Sequence, residues 1–136
     1  MSEVANRLND LLEEFDLFDD WEERYRYIID LGKELAPLSD DEKTEATRVR
    51  GCASQVWLVM DPAPEGILKF RGDSDAFIVR GLIAVLIRLL NDLPYSEIQD
   101  FSIRDALTRL GLDEALSSQR TNGLMSMVER LKRATA

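Results

Sequence analysis

The sequence of 136 residues contains no histidine and only one cysteine, Cys52. Without histidine, a Ser–His or Cys–His hydrolase cannot be built. Zinc and iron–sulfur sites need three or four Cys or His ligands, so this chain cannot hold one alone. A lone cysteine also excludes an internal disulfide and a dithiol oxidoreductase, which needs a second, resolving thiol. The remaining candidate for covalent chemistry is one thiol, the only good nucleophile of this sequence near neutral pH.

Positive charge is also scarce, because the formal net charge is −9. Binding to nucleic acid requires a clustered basic face, so we expect no nucleic-acid partner. Residues 1–47 hold 15 acidic and 5 basic residues, whereas residues 48–136 hold 11 acidic and 12 basic ones. The acidic charge therefore lies in the first third of the chain, and the cysteine lies in the nearly neutral remainder.

Long apolar runs are missing as well. The most apolar stretch, residues 82–90, is short and is interrupted by Arg88, so we expect no membrane span. The first residues are polar and acidic, which differs from the basic and then apolar pattern of a signal peptide. An unpaired thiol is typical of a reducing compartment, so we expect a cytoplasmic protein of bacterial type.

The first part of the chain has helical periodicity. Residues 3–15 predict an amphipathic helix capped by Ser2, and a second helix is predicted from a cap at Asp20 to a stop at Pro37. The expected buried stripe of the second helix is Trp21, Tyr25, Ile28, Leu31 and Leu35. Aromatic residues at this spacing favour core packing over a ligand site.

The middle of the chain changes to a β pattern. Residues 37–47 lack an apolar period and predict a surface connection. Residues 55–60 and 66–72 are β-rich runs separated by a loop with two prolines, which predicts a hairpin. Residues 48–50 are a candidate third strand.

The last part of the chain is again helical. Asp73, Ser74 and Asp75 predict a turn with helix-capping residues, followed by a strongly apolar, central helix over 76–90. Further helices are predicted at 96–100, 102–110 and 121–133, with Gly111 ending the second of these. The prediction is one domain over residues 1–136, of α+β class, with a small antiparallel sheet of about three strands packed against several helices.

The segment around Cys52 is the candidate site. Gly51 gives the backbone freedom to present a sulfur at the end of a strand. Positive charge that favours a thiolate is available from Arg48 and Arg50 in sequence, and Arg80 and Arg120 are candidates to approach in space. A packed, inert cysteine remains the alternative, since free cysteine is among the most buried residue types.

Three blocks of the sequence resemble the SufE family of sulfur-acceptor proteins, which includes CsdE. The blocks are GCASQVW at 51–57, GDSDA at 72–76 and VRGLIA at 79–84, in the order and spacing of the family. Residues 21–32 and 120–124 extend the resemblance over nearly the whole chain. The resemblance implies a SufE/IscU-like fold with the cysteine at a loop tip beside an apolar cavity.

The resemblance also implies a function. A SufS- or CsdA-type, PLP-dependent cysteine desulfurase would pass persulfide sulfur to Cys52, which would stimulate the desulfurase. The acceptor would then deliver the sulfur to a SufBCD-type scaffold for iron–sulfur cluster assembly. The family itself binds no PLP and no metal, so no cofactor is expected. A homodimer stays an open alternative.

The resemblance assigns supporting positions around the acceptor. Gly51, Ser54 and Gln55 belong to the cysteine block, Asp75 matches the second acidic residue of the GDSD block, and Arg120 matches an arginine near the same site. Ala53 stands where relatives often have glutamine, and residues 121–122 are Thr-Asn where relatives often have Ser-Gln, so the SufE or CsdE subtype stays open. A redox sensor and an interaction protein with a structural cysteine remain the alternative functions.

Overall fold

The computed structural model describes residues 2–136, apart from the side chain of Glu114. This part of the chain forms seven α-helices and one two-stranded sheet, and the predicted α+β class is confirmed. In chain order the elements are α1 (Glu3–Asp16), α2 (Trp21–Lys33), a short 3-10 helix (Asp40–Glu42), β1 (Val56–Met60), β2 (Phe70–Ser74), α3 (Phe77–Leu90), α4 (Tyr95–Gln99), α5 (Ile103–Arg109), α6 (Leu112–Ala115) and α7 (Ser118–Ala134).

The sheet is smaller than the sequence suggested. β1 and β2 are antiparallel, with Val56 opposite Ser74 and Met60 opposite Phe70. The second strand begins later than predicted because residues 67 and 68 pair with the segment at 93–94 instead. The candidate third strand at 48–50 is reduced to one isolated bridge, in which Arg48 lies opposite Trp57.

Helix α3 is the centre of the core, as its apolar composition predicted. Ten of its residues are buried, and it packs against α2 on one side and β2 on the other. The crossing with α2 is so close that a Cβ on Gly81 would lie 2.1 Å from the carbonyl oxygen of Ile28. A side chain at position 81 would therefore force the two helices apart. No helix within residues 2–136 is both long and apolar enough to cross a membrane.

One detail of helix burial was predicted wrongly. Tyr25 is 40% exposed on α2, because Ile28 and Gly32 form the face that is buried against α3. Phe77, in the first turn of α3, is also exposed. The predicted caps at Ser2 and Asp20 are confirmed, since their side chains accept hydrogen bonds from the backbone N–H groups of Ala5 and Glu23.

The start of α3 also differs from the prediction. Asp73 and Ser74 belong to β2 rather than to a turn, and the N-cap residue Ala76 makes no side-chain capping bond. The side-chain oxygen of Ser74 instead accepts a hydrogen bond of 3.1 Å from the backbone N–H of Ala76. The hydroxyl group therefore satisfies a backbone donor just before the helix begins.

Asp73 anchors the connection between α2 and β1. Its side chain is almost fully buried, forms an ion pair with Arg80 and accepts a hydrogen bond of 3.0 Å from the backbone N–H of Leu38. Lys43 Nζ lies 3.6 Å from the same carboxylate. The connection is mostly exposed, as predicted, but Leu38 is buried. A charge network around a buried carboxylate thus fixes a segment that has no apolar period of its own.

Candidate functional site

Cys52 lies in the loop that leads into β1. The preceding residue, Gly51, has a φ angle of +85°, a conformation that side chains with a Cβ rarely adopt. A Cβ at this position would also lie 2.7 Å from Ser126 Oγ on α7. Two independent features therefore favour glycine before the cysteine, namely the positive φ angle and the close approach of α7.

The sulfur of Cys52 points towards helix α7. Its thiol donates a weak hydrogen bond of 3.6 Å to the backbone carbonyl oxygen of Gly123, and the side chain is half-buried. A Cβ on Gly123 would lie 3.4 Å from Cys52 Sγ. Position 123 therefore packs directly against the thiol, at a distance where a Cβ would be in van der Waals contact with the sulfur.

A small cavity adjoins the sulfur. Its apolar lining consists of Val56, Val79, Leu82, Leu124 and Met127, and its polar lining includes Ser54, Gln119 and Arg120. The free volume is about 10 Å³. Because a site of this size holds roughly one water molecule, the cavity has room for about one further atom beside the thiol.

Burial decides the protonation of the thiol. It raises the pKa of Cys52 above the ordinary value, and the positive charges of Arg120 and Arg48 offset this only in part. The hydrogen bond to the Gly123 carbonyl also requires the protonated form. In this conformation Cys52 is therefore a neutral, poorly nucleophilic thiol at neutral pH.

Arg120 links α7 to the cysteine loop. Its guanidinium Nη1 donates a hydrogen bond of 2.5 Å to Ser54 Oγ, two residues after the cysteine. The position of Arg120 is set by the start of the helix, where its backbone N–H donates to the capping oxygen of Ser117 at 3.2 Å. The arginine therefore ties the loop to α7 and places a positive charge near the sulfur.

Gln55 and Asp75 fix the outgoing end of the loop. The backbone N–H of Gln55 donates to Asp75 Oδ1 at 3.0 Å, and the backbone N–H of Asp75 donates to the carbonyl oxygen of Gln55 at 3.2 Å. Ser74 Oγ donates to the same carbonyl oxygen at 2.7 Å. These bonds tie the loop to the segment between β2 and α3.

The structure brings the six site residues predicted from the sequence into one region: Gly51, Cys52, Ser54, Gln55, Asp75 and Arg120. Two other arginines lie elsewhere. Arg50 forms an exposed ion pair with Glu45, and Arg80 is bound to Asp73. Among the side chains that the structure describes, which leave out that of Glu114, no three of Cys, Asp or Glu are grouped so that they could hold a metal ion.

Sequence reasoning missed Gly123, which accepts from the thiol, and Arg130, whose guanidinium binds the loop's incoming backbone. Leu124 and Met127, on the same helix, are buried and line the cavity. Gly123 directly precedes Leu124 in the sequence, so a contact between Gly123 and another part of the chain could be predicted. That this part would be the cysteine loop could not be predicted.

Comparisons with known proteins agree with this architecture. A family model, SufE, described as an Fe–S metabolism associated domain, matches residues 9–135. An uncharacterized SufE-like protein of Rhizobium etli is 48% identical over 128 residues, which cover 92% of this chain and 86% of the relative. Another from Rhizobium meliloti is 44% identical over 128 residues, covering 92% and 91% of the two chains.

A solved structure has the same fold. The solution structure of a hypothetical protein from Thermus thermophilus superposes with a TM-score of 0.74 and 19% sequence identity, covering 95% of this chain and 93% of that one. At this identity the likeness extends to the fold alone. The family match and the two relatives carry the assignment, and the chain accordingly belongs to the SufE family of Fe–S metabolism proteins.

Proposed function

We propose that this protein accepts persulfide sulfur on Cys52 from a PLP-dependent cysteine desulfurase of the SufS or CsdA type. The observation that carries the proposal is the cavity beside the thiol, which is mostly apolar and has room for about one more atom. Family membership in Fe–S metabolism supports sulfur as the cargo. To carry one sulfur atom as a persulfide, the chain requires neither a metal site nor a second thiol.

The transfer step is a thiol exchange. The Cys52 thiolate attacks the terminal sulfur of the desulfurase persulfide, the S–S bond of the donor breaks, and the desulfurase cysteine leaves as a thiolate. Cys52 becomes a persulfide, and no external oxidant or reductant is consumed. Because this chain has only one cysteine, the sulfur cannot be lost to an internal disulfide.

The resting geometry requires the loop to open before this attack. In the closed position the thiol is protonated, half-buried and bonded to Gly123. Outside the cavity the desolvation that raises its pKa is lost, so a thiolate forms more readily. On return, the new outer sulfur would occupy the cavity and be sheltered from reductants.

The partner and the delivery step follow from the same proposal. Removal of sulfur from the desulfurase frees its active site and should raise its turnover, and the persulfide would then be passed to a SufBCD-type scaffold by a second exchange. We place this reaction in the cytoplasm. The homodimer stays a separate prediction.

The direct test uses mass spectrometry. The protein is incubated with the desulfurase, PLP and L-cysteine, and we expect the mass to rise by one sulfur atom in a form that dithiothreitol removes. Cys52→Ser should gain nothing and should not stimulate the desulfurase. If the wild type gains no sulfur while the desulfurase turns over normally, the proposal is wrong.

The same preparation separates the alternatives. A redox sensor would form a sulfenic acid with dilute peroxide in the absence of any desulfurase. The raised pKa of Cys52 disfavours this, since sensor cysteines have low pKa values. A purely structural cysteine would resist thiol reagents until the protein unfolds.

A further inference from the structure

The residues that carry the thiol are attached to the fold by few bonds. Within the described part of the chain, residues 50 and 51 form a local turn, and residues 50–54 make no backbone–backbone hydrogen bond to another segment. Their bonds to α7 are side-chain contacts, namely the thiol of Cys52 to the Gly123 carbonyl and Ser54 Oγ to Arg120. A segment of this kind can move without breaking a strand ladder.

The segment that precedes the loop, residues 46–49, is hydrogen-bonded on two sides. On the edge facing β1, Val49 N–H donates to the Val56 carbonyl at 2.8 Å, and Leu58 N–H donates to the Thr47 carbonyl at 2.9 Å. Residues 45–47 form a turn, closed by a hydrogen bond of 3.0 Å from the Arg48 N–H to the Thr44 carbonyl. The carbonyl groups of Ala46 and Arg48, on either side of Thr47, make no backbone hydrogen bond to β1.

Arg130 of α7 occupies this second edge. Its guanidinium Nη1 donates to the Arg48 carbonyl at 3.1 Å, and Nη2 donates to the Ala46 carbonyl. The planar fork of an arginine can bridge two carbonyl groups at once, which a single ammonium group does less well. Arg130 thus binds the two carbonyl groups that flank Thr47 and that β1 leaves without a backbone donor.

One helix therefore supplies three contacts to the cysteine loop. Arg120, Gly123 and Arg130 all lie on α7, and seven residues, about two helical turns, separate the last two. Residues with this separation lie on the same face of a helix. Because a helix is a rigid element, Arg130 stays at a fixed distance from the Gly123 carbonyl group that accepts the hydrogen bond of the thiol.

We propose that Arg130 is a positioning residue for Cys52, which fixes the incoming hinge of the loop so that residues 50–54 open and close about a defined point. Arg120 binds Ser54 in the segment that moves, whereas Arg130 binds residues 46 and 48, which stay in place. The anchoring of the loop by Arg130 does not depend on the proposed function. Its effect on sulfur transfer rests on that function.

The test compares Arg130→Gln and Arg130→Lys with a matched control, Arg133→Gln. Arg133 is an exposed arginine of the same helix, three residues further on. Hydrogen exchange is measured at the amides of Val49 and Leu58, with the α3 amide of Leu86 as a reference for global unfolding. Alkylation of Cys52 by N-ethylmaleimide is measured on the same samples, without any desulfurase.

We expect Arg130→Gln to speed exchange at Val49 and Leu58 by about tenfold, because hydrogen bonds from a charged donor are lost. Alkylation of Cys52 should also be faster, while exchange at Leu86 is unchanged. Arg130→Lys should fall between this variant and the wild type, and Arg133→Gln should match the wild type. An equal acceleration at all three amides, or none at Val49 and Leu58, would overturn the proposal.

The last measurement links the hinge to the cargo. Cys52 loaded with sulfur is treated with dithiothreitol, and we expect the persulfide of Arg130→Gln to be reduced several-fold faster than that of the wild type, since a poorly anchored loop returns less often to its cavity. If no variant can be loaded, the proposed function fails, but the exchange and alkylation results still decide the role of Arg130.

Discussion

Arg120 and Ser54, which are 66 residues apart in the sequence, are joined by a hydrogen bond of 2.5 Å from the guanidinium group to the hydroxyl oxygen. The bond connects the first turn of α7 to the loop that carries Cys52. Together with the thiol's contact with Gly123, it connects residues 50–54 to this helix. In the proposed opening of the loop this bond has to break, so we call it the latch and expect its strength to set how often the thiol is exposed.

A double-mutant cycle tests this latch. Ser54→Ala and Arg120→Leu should each raise the alkylation rate of native Cys52 by about tenfold, because each removes a hydrogen bond from a charged group. The rates are compared per thiolate, since the charge of Arg120 also lowers the pKa of the thiol. The double variant should be no faster than the faster single variant, since both changes remove the same bond. Additive effects of the two substitutions would show that they act through separate contacts.

The pH dependence of the thiol is a second prediction. Because burial raises the pKa of Cys52, its alkylation by iodoacetamide should have a midpoint above the roughly 8.5 of an unhindered cysteine. In urea the midpoint should return to that value. A native midpoint at or below the unfolded one would mean that the thiol is not desolvated in solution.

The same shift affects stability. The folded state binds the thiol proton more tightly than the unfolded state, so this contribution is complete below the unfolded pKa and is lost as the pH rises through the folded pKa. Above roughly pH 8.5 the wild type should therefore lose stability relative to Cys52→Ser. Urea unfolding of both proteins over a pH series measures the difference.

The glycine before the cysteine gives a third prediction. Gly51→Ala should lower the free energy of unfolding by about 1–2 kcal/mol from the left-handed backbone alone, and further because its Cβ would lie 2.7 Å from Ser126 Oγ. Gly66→Ala is the matched control, since Gly66 has a φ of +78° and a Cβ added there would meet no heavy atom within 4 Å.

Urea unfolding of these variants separates the two costs. Gly66→Ala reports the backbone cost, and the excess at position 51 reports the contact with Ser126. Adding Ser126→Ala should remove this excess, because the nearest remaining side-chain atom would then be 3.7 Å away. Equal losses for the two single glycine variants would argue against a close approach of α7 to the loop.

The buried carboxylate of Asp73 gives a fourth prediction. Asp73→Asn should lower the free energy of unfolding by roughly 3 kcal/mol, because the partly buried guanidinium of Arg80 would lose its charged partner. Asp75→Asn, two residues further on and exposed, keeps an oxygen that accepts from Gln55 and should cost less than about 0.5 kcal/mol. Comparable losses in urea unfolding would mean that Asp73 is not the anchor of residues 37–43.

The site was largely accessible to sequence reasoning because it is concentrated in short blocks. Cys52, its glycine and Ser54 are nearly contiguous, so the motif identified them together. Asp75 and Arg120 were identified by resemblance, and both bind the cysteine loop. The role of the neighbouring Asp73 was missed, because a GDSD block has the same composition whether it forms a helix cap or the end of a buried strand.

The fold class, most of the helices and the family could be predicted from the amino-acid sequence, because helical periodicity, capping residues and motif spacing are local properties of the chain. The extent of the two-stranded sheet could not, since the segments at 48–50 and 66–68 are β-prone and their partners are set by long-range contacts. The contacts of Gly123 with the cysteine loop and of Arg130 with the segment before it became visible only in the folded chain. Those contacts join residues more than 70 positions apart and depend on where α7 packs.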